Sequence, residues 1–137
     1  MTDTPYRVLV TGSRDWTDGP TIWRALADTL RPIPINRETV IVHGACPTGA
    51  DYQADEWGRG FGATIEQHPA EDHGPLPAAG PRRNAHMVSL GADVCLAFIG
   101  PCTSPRCRRP DPHPSHGASG CADLAEQAGI PTRRWTA

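Results

Sequence analysis

Short apolar runs of strand length alternate along this chain with stretches of helical periodicity. That alternation restricts the fold to a parallel sheet with helices packed on both faces. Residues 6–11 (YRVLVT), 39–43 (TVIVH), 64–68 and 93–99 (DVCLAFI) read as strands, and 131–135 as a short final one. Ile22, Trp23, Leu26, Ala27 and Leu30 recur at helical spacing and predict a helix over 19–30. Asp18 is its expected N-cap, Pro20 sits where a helix start tolerates it, and Pro32 and Pro34 stop it. Ala50, Ala54, Trp57 and Phe61 predict a second helix over 49–60, and a third is expected over 82–90. Ala118, Cys121, Ala122, Ala125 and Ala128 predict the last helix, ended by Gly129. Residues 69–81 read as a Pro/Gly-rich loop. Residues 100–117, with five prolines and three arginines, read as a long Pro/Arg-rich surface loop. Right-handed crossovers fix most of the topology. The chain of 137 residues is the size of one domain, taken as spanning 1–137, and can bury about two-thirds of its unfolded surface.

The unusual residues follow the strand ends. GSRD comes after the first strand, GACPTGAD after the second, GPRRN after the third and SHGASG after the fourth. An open parallel sheet brings such turns to one edge, where its ligands bind. Gly12 permits a sharp turn, Ser13 offers a hydroxyl, and Arg14 presents a planar fork that matches phosphate or carboxylate; the bland alternative is a tight turn with a solvated arginine. Gly44 and Gly49 bracket a loop that opens a helix, whose free N–H groups attract anions. Asp51 either caps that helix or holds a ribose hydroxyl. Of Arg82 and Arg83, followed by Asn84, one is expected to point into the site. Gly117, Ser119 and Gly120 are small enough for a phosphate to approach.

All thirteen basic residues are arginine. Without lysine there is no Schiff base and no P-loop ATPase chemistry, so an anion must be held by arginine, backbone N–H groups and helix starts. A net charge of −2 gives no electrostatic footprint for nucleic acid or an anionic membrane, and Arg106, Arg108 and Arg109 in a proline-rich loop make a poor case for nucleic acid. No signal peptide or membrane-spanning run is legible, so a cytoplasmic protein with reduced cysteines is expected.

Val10-Thr11-Gly12-Ser13-Arg14, His43-Gly44 with Gly49-Ala50-Asp51, Gly80-Pro81-Arg82-Arg83-Asn84 with Met87, Ala97-Phe98, and Gly117-Ala118-Ser119 with Ala128-Gly129-Ile130-Pro131 carry a resemblance. The chain resembles the YspA/YpsA-like branch of the SLOG superfamily, relatives of DprA and the lonely-guy-type Rossmann proteins. The resemblance implies a single Rossmann-like domain, a five-stranded parallel sheet, a nucleotide-derived ligand sensed or bound at the carboxyl edge, Arg83 as the inward arginine, and a homodimer. It also implies an alternative: an N-glycosidase acting on nucleoside 5′-monophosphates, with Asp51 and Arg83 as candidate catalytic residues. The lonely-guy motif PGGxGTxxE is not met. Cys121 stands at its threonine, Leu124 at its glutamate, and Asp123 lies one residue off, a rotation of about 100° on a helix. Asp55 is the other carboxylate near that region. Binding is therefore favoured over cleavage, which needs a carboxylate near the anomeric carbon.

A third expectation concerns metal. Cys102, Cys107, His113, His116 and Cys121 supply more than the four ligands of a structural zinc, although the spacing matches no standard finger. Cys121 falls at core-facing helical spacing, which leaves Cys102, Cys107, His113 and His116 as the candidate set. The alternative is a mobile insertion that needs no cofactor. His43 and Cys46 read as wall and packing, and Cys95 as buried core.

Overall fold

The computed structural model describes residues 4–136; residues 1–3 and 137 of the expected 1–137 domain lie outside the described residues. Five strands, β1 (Tyr6–Gly12), β2 (Thr39–His43), β3 (Thr64–Gln67), β4 (Val94–Ile99) and β5 (Thr132–Thr136), form one sheet in the order β3-β2-β1-β4-β5. Every pairing is parallel. The direction of winding reverses between β1 and β4, so the switch point lies at their carboxyl ends. This is the expected Rossmann-like α/β architecture.

Period-two alternation sends each central strand's side chains to two separate cores. Val8, Val10, Ile41, Leu96 and Phe98 meet helix α1 (Gly19–Leu30) and helix α2 (Gly49–Phe61) on one face. Leu9, Val40, Val42 and Cys95 meet α3 (Ala79–Ser89) and α4 (His116–Gln127) on the other. β4 is buried along its whole length, as its unbroken apolar run requires, whereas the edge strands β3 and β5 are half exposed.

Local chemistry sets the helix ends. The Asp18 carboxylate accepts the Thr21 N–H at 3.2 Å, and Pro20 occupies the first turn of α1. α2 closes on Gly62 in the left-handed conformation, φ 97°. Two features depart from the expected pattern. Trp23 is exposed and Ala27 faces solvent, so α1 buries the narrower stripe Ile22, Ala25, Leu26 and Leu30. Phe61 is also exposed and stacks on Trp57 with ring centroids 4.8 Å apart. α2 lies too close to the sheet for large side chains there: a Cβ on Gly58 would meet Ile41 and Ile65 methyls at 2.7 and 2.8 Å.

α3 starts at Ala79 rather than 82, because Pro81 is tolerated in a first turn. Arg82-Arg83-Asn84 therefore sit about one turn inside the helix. The segment before it contains a short 3-10 turn, Ala70–His73. α4 starts at His116 rather than 118, with the Ser119 N–H bonded to the Ser115 carbonyl at 3.0 Å, so Gly117 lies in its first turn.

Candidate functional site

Four turns line the carboxyl edge, and each is bonded to a neighbour. The Ser13 N–H donates to the Phe98 carbonyl at 2.9 Å, and its buried Oγ accepts the Gly100 N–H at 2.8 Å, tying the β1 turn to the end of β4. The Ser13 carbonyl accepts the Ala50 N–H at 3.3 Å, and the Arg14 carbonyl accepts the Thr48 hydroxyl at 3.0 Å, locking the same turn to the start of α2. Arg83 reaches from α3 to the β2 turn: its Nη1 donates to the Gly44 carbonyl at 2.6 Å and the His68 carbonyl at 3.3 Å. Asn84 accepts from Arg83 Nε at 2.7 Å and donates to the Gly117 carbonyl at 3.4 Å, joining α3 to the start of α4.

The expected site residues fall into two groups. Gly12, Ser13, Gly49, Asn84 and Ser119 build the scaffold. A Cβ on Gly12 would meet the Ala50 Cβ at 2.2 Å. Gly49 has φ +74°, and a Cβ there would lie 2.3 Å from the Ser13 carbonyl oxygen. The Ser119 hydroxyl donates back to the Ser115 carbonyl at 2.6 Å. The second group faces open space. Arg14 is exposed, and its guanidinium has no hydrogen-bond partner among the described residues. Added Cβ atoms on Gly117 and Gly120 would meet nothing within 4 Å. Gly44 belongs with the packed positions instead: an added Cβ there would stand 2.4 Å from the Arg83 guanidinium.

Arg83 is half-buried and has only oxygens of carbonyls and an amide as partners. Among the described residues it makes no ion pair, in contrast to Arg7 on Glu66, Arg59 on Asp55 and Arg134 on Asp123. Its Nη2 donors are not used by any bond described. Asp51 is the acid nearest in kind. It is 6% exposed and accepts the Cys46 N–H at 3.3 Å, pinning its own loop. Burial pushes its carboxyl above the usual range, against the pull of His43, the Cys46 and Gly44 amides, and Arg83.

Beside Asp51, His43 is fully buried. The Ala45 N–H donates to its Nδ1 at 2.9 Å, so Nε2 carries the proton and donates to Asp55 at 2.7 Å. Burial opposes ionisation of Asp55, but hydrogen bonds from Arg59, Gln67 and His43 hold it down at about 2. His43 is thus a wall group with both nitrogens committed.

Sequence reasoning missed a cavity of about 270 Å³ at the β1, β4 and β5 ends, lined among others by Asp15, Trp16, Gly100, Thr103 and Trp135. Trp16 directly after GSRD and Trp135 ending β5 were the legible signals. Trp135 stacks on Phe98 with centroids 4.8 Å apart. A larger groove of about 640 Å³ between the carboxyl ends of α3 and α4 lies at the amino edge of the sheet, away from the turns.

The Pro/Arg-rich loop is a strap whose base is closed by a Pro101–Pro114 bridge and by the Cys102 N–H on the His113 carbonyl at 2.8 Å. Within it, the ligand atoms of Cys102, Cys107, His113 and His116 all lie within 4.8 Å of one another, a group that can hold a metal ion. Cys121 takes no part. It is buried against β1 on the α3–α4 face, and burial raises its thiol pKa. All five cysteines are free.

Comparison with known proteins adds three findings. The YspA, cpYpsA-related SLOG family matches residues 6–73, which hold the first two turns and Asp51 but not Arg83 or the glycines of α4. The chain is similar to the Gene 61 protein of Mycobacterium phage D29, 44% identical over 130 residues, covering 91% of this chain and 92% of that one. No solved structure matches.

Proposed function

The chain belongs to the YspA, cpYpsA-related SLOG family, and on that premise we propose that it binds or senses a nucleotide or nucleotide-derived small molecule at the carboxyl edge of its sheet. The observation that carries the reading is Arg83: a half-buried guanidinium, oriented by Gly44, His68 and Asn84, with no carboxylate partner among the described residues. A cation fixed in this way by carbonyl oxygens is suited to an incoming anion. Arg14 supplies a further donor on the same edge, the positive dipole ends of α2 and α4 face it, and Gly117 and Gly120 leave room beside them. Asp51 is placed by this reading against a ribose hydroxyl. No resident cofactor is required for capture.

Binding is favoured over N-glycoside cleavage because Asp15 in the β1 turn and Asp51 and Asp55 on α2 each already hold a protein group. Asp51 holds Cys46, Asp55 holds His43, and Asp15 accepts from Thr103. The test is incubation with a panel of nucleoside monophosphates and ADP-ribose, reading thermal stability and free base together. Saturable stabilisation, about 2.7 kcal/mol at a hundredfold excess over Kd, without free base is the expected result. Release of base would replace the binding reading with the N-glycosidase. No stabilisation by any member of the panel would refute the site.

The Cys/His cluster favours a second, compatible reading: a zinc-stabilised interaction domain in which the metal is structural and takes no part in holding the nucleotide. No helix among the described residues is long and apolar enough to cross a membrane. We place the protein in the cytoplasm, where free thiols persist.

A further inference from the structure

We propose that Cys102, Cys107, His113 and His116 bind one zinc ion, and that this ion fixes the start of α4 where it borders the carboxyl edge. The inference deepens the zinc reading above and stands whether or not the edge binds a nucleotide.

The geometry is that of a single tetrahedral centre. Cys107 Sγ lies 3.2 Å from His113 Nε2 and 3.4 Å from His116 Nε2, and the two Nε2 atoms are 3.2 Å apart. Zinc bonds of about 2.3 Å to sulfur and about 2.05 Å to nitrogen set tetrahedral edges of about 3.6 Å for S–N and about 3.3 Å for N–N. With Cys102 inside the same 4.8 Å limit, all four ligand atoms fit around one ion. A two-iron centre would set a cysteine pair and a histidine pair on separate irons, whereas here all four ligand atoms lie within 4.8 Å of one another.

The surroundings prepare the ligands. His113 Nδ1 lies 2.8 Å from the Asp111 carbonyl, which places the proton on Nδ1 and leaves the Nε2 lone pair facing the cluster. The Cys107 N–H donates to the Ser104 carbonyl at 3.2 Å in a turn that returns its thiol toward the base of the strap. Two cysteines and two histidines make a mixed sulfur–nitrogen set that selects zinc over hard cations. Binding releases two thiol protons, and the resulting dithiolate balances the charge of the ion. Four protein ligands leave no open position, so the site is structural rather than catalytic.

The ion reaches the edge through covalent continuity. His116 is the first residue of α4, and Gly117 follows it. The strap is also bonded to the β1 turn through Thr103 on Asp15, and Ser115 N–H donates to the Gly100 carbonyl at 2.9 Å. Its five prolines limit the unfolded ensemble, but few backbone bonds cross the loop between residues 103 and 112, so the four-ligand centre is the tie that closes it.

The test measures metal and local order without using a nucleotide. Purified full-length protein is assayed for zinc, and amide hydrogen exchange is followed with and without a chelator and in Cys107→Ser. The expected result is about one equivalent of zinc, lost with chelator, and at least about a tenfold loss of exchange protection confined to residues 100–121 while β1 stays protected. Less than about half an equivalent in the wild-type protein would overturn the site. Full zinc with unchanged protection at residues 116–121 after chelation would overturn its role at α4. If Cys107→Ser fails to fold, the wild-type metal content and chelator experiment still decide both points.

Discussion

Gly120→Ala should make the protein more stable, whereas Gly49→Ala should come close to unfolding it. The two glycines look alike in sequence, but the space around them differs. At Gly120, inside α4, an added Cβ meets nothing within 4 Å, so the methyl restrains the unfolded chain without a clash. Alanine in place of glycine inside a helix is worth about 0.5–1 kcal/mol. At roughly 3–5 °C per kcal/mol for a chain of this size, that is a rise in Tm of roughly 2–5 °C. At Gly49 the backbone has φ +74°, where an L side chain costs about 1–2 kcal/mol. The same Cβ would stand 2.3 Å from the Ser13 carbonyl oxygen and 2.5 Å from that of Arg14. Those are backbone atoms that cannot swing aside, so overpacking adds about 1–3 kcal/mol. The sum is about 2–5 kcal/mol, a large part of the stability of a small domain. Urea denaturation of the two variants, with m-values compared, gives the answer. A destabilised Gly120→Ala would refute the division of the glycines into packed and open ones. If the open space is where the ligand lies, Gly120→Ala should also weaken binding about tenfold or more, about 1.4 kcal/mol, while the fold gains.

Arg83→Ala should weaken nucleotide binding by about 1.5–3 kcal/mol, roughly 10- to 150-fold, and Arg83→Lys should not restore it, because a lysine cannot span Gly44, His68 and an anion as a planar fork; calorimetric titration measures both, and unchanged affinity in Arg83→Ala refutes the assignment. Asp51 has a folded pKa raised by burial, so its ionised form works against folding more and more as pH rises above its unfolded value. Asp51→Asn should therefore raise stability at neutral pH and flatten that part of the profile, as read by urea melts; a clear loss would mean that the carboxylate is better satisfied than its burial indicates. Asp55 and Glu66 are held down at about 2. Their contribution is complete above the unfolded values of about 4, and should fall away as pH drops from about 4 toward 2. Asp55→Asn and Glu66→Gln should each flatten acid unfolding in that window, and an unaltered profile in both would remove them from the account.

The fold was legible because two periodicities reported the same layering. Strict strand-length runs such as VCLAFI gave the buried β4, and the 3.6 spacing of Ile22, Leu26 and Leu30 gave α1. What composition could not give was the distance between layers. Trp23, Ala27 and Phe61 fit the apolar spacing of their helices, yet Gly58 shows α2 lying so close to Ile41 and Ile65 that only small residues enter. α3 and α4 start earlier than their apolar pattern indicates because Pro81 and His116 look like loop residues, yet each is tolerated in a first turn. At the site, sequence identified which turns meet but not what each side chain does there. Ser13 offers a hydroxyl in sequence, and its oxygen also accepts from Gly100, a bond between residues 87 positions apart that no local pattern announces. Trp16 and Trp135 both pack in the core and line the cavity, and nothing in their local sequence pattern separates the two roles.

The balance between capture and cleavage turns on where the carboxylates lie. A group that acts on a glycosidic bond must stand free beside the sugar, either ionised to stabilise positive charge or poised to activate water. On α4 the resemblance to the lonely-guy motif sets Leu124 where that motif has its glutamate, and Leu124 packs against the α3–α4 core. Its neighbour Asp123 is turned outward onto Arg134, with N···O 2.8 Å. Asp55 has both oxygens engaged, by Arg59 on one and by His43 and Gln67 on the other. Among the described acids, Asp51 alone combines proximity to the edge with a raised pKa, which is common at functional acids. To act as one it would have to release the Cys46 amide and open the loop that it closes. A buried carboxyl held in that way is better suited to accept a ribose hydroxyl than to move a proton. If Asp51→Asn left nucleotide affinity unchanged while Arg83→Ala weakened it, Asp51 would be reduced to a capping group and the edge to an anion site alone.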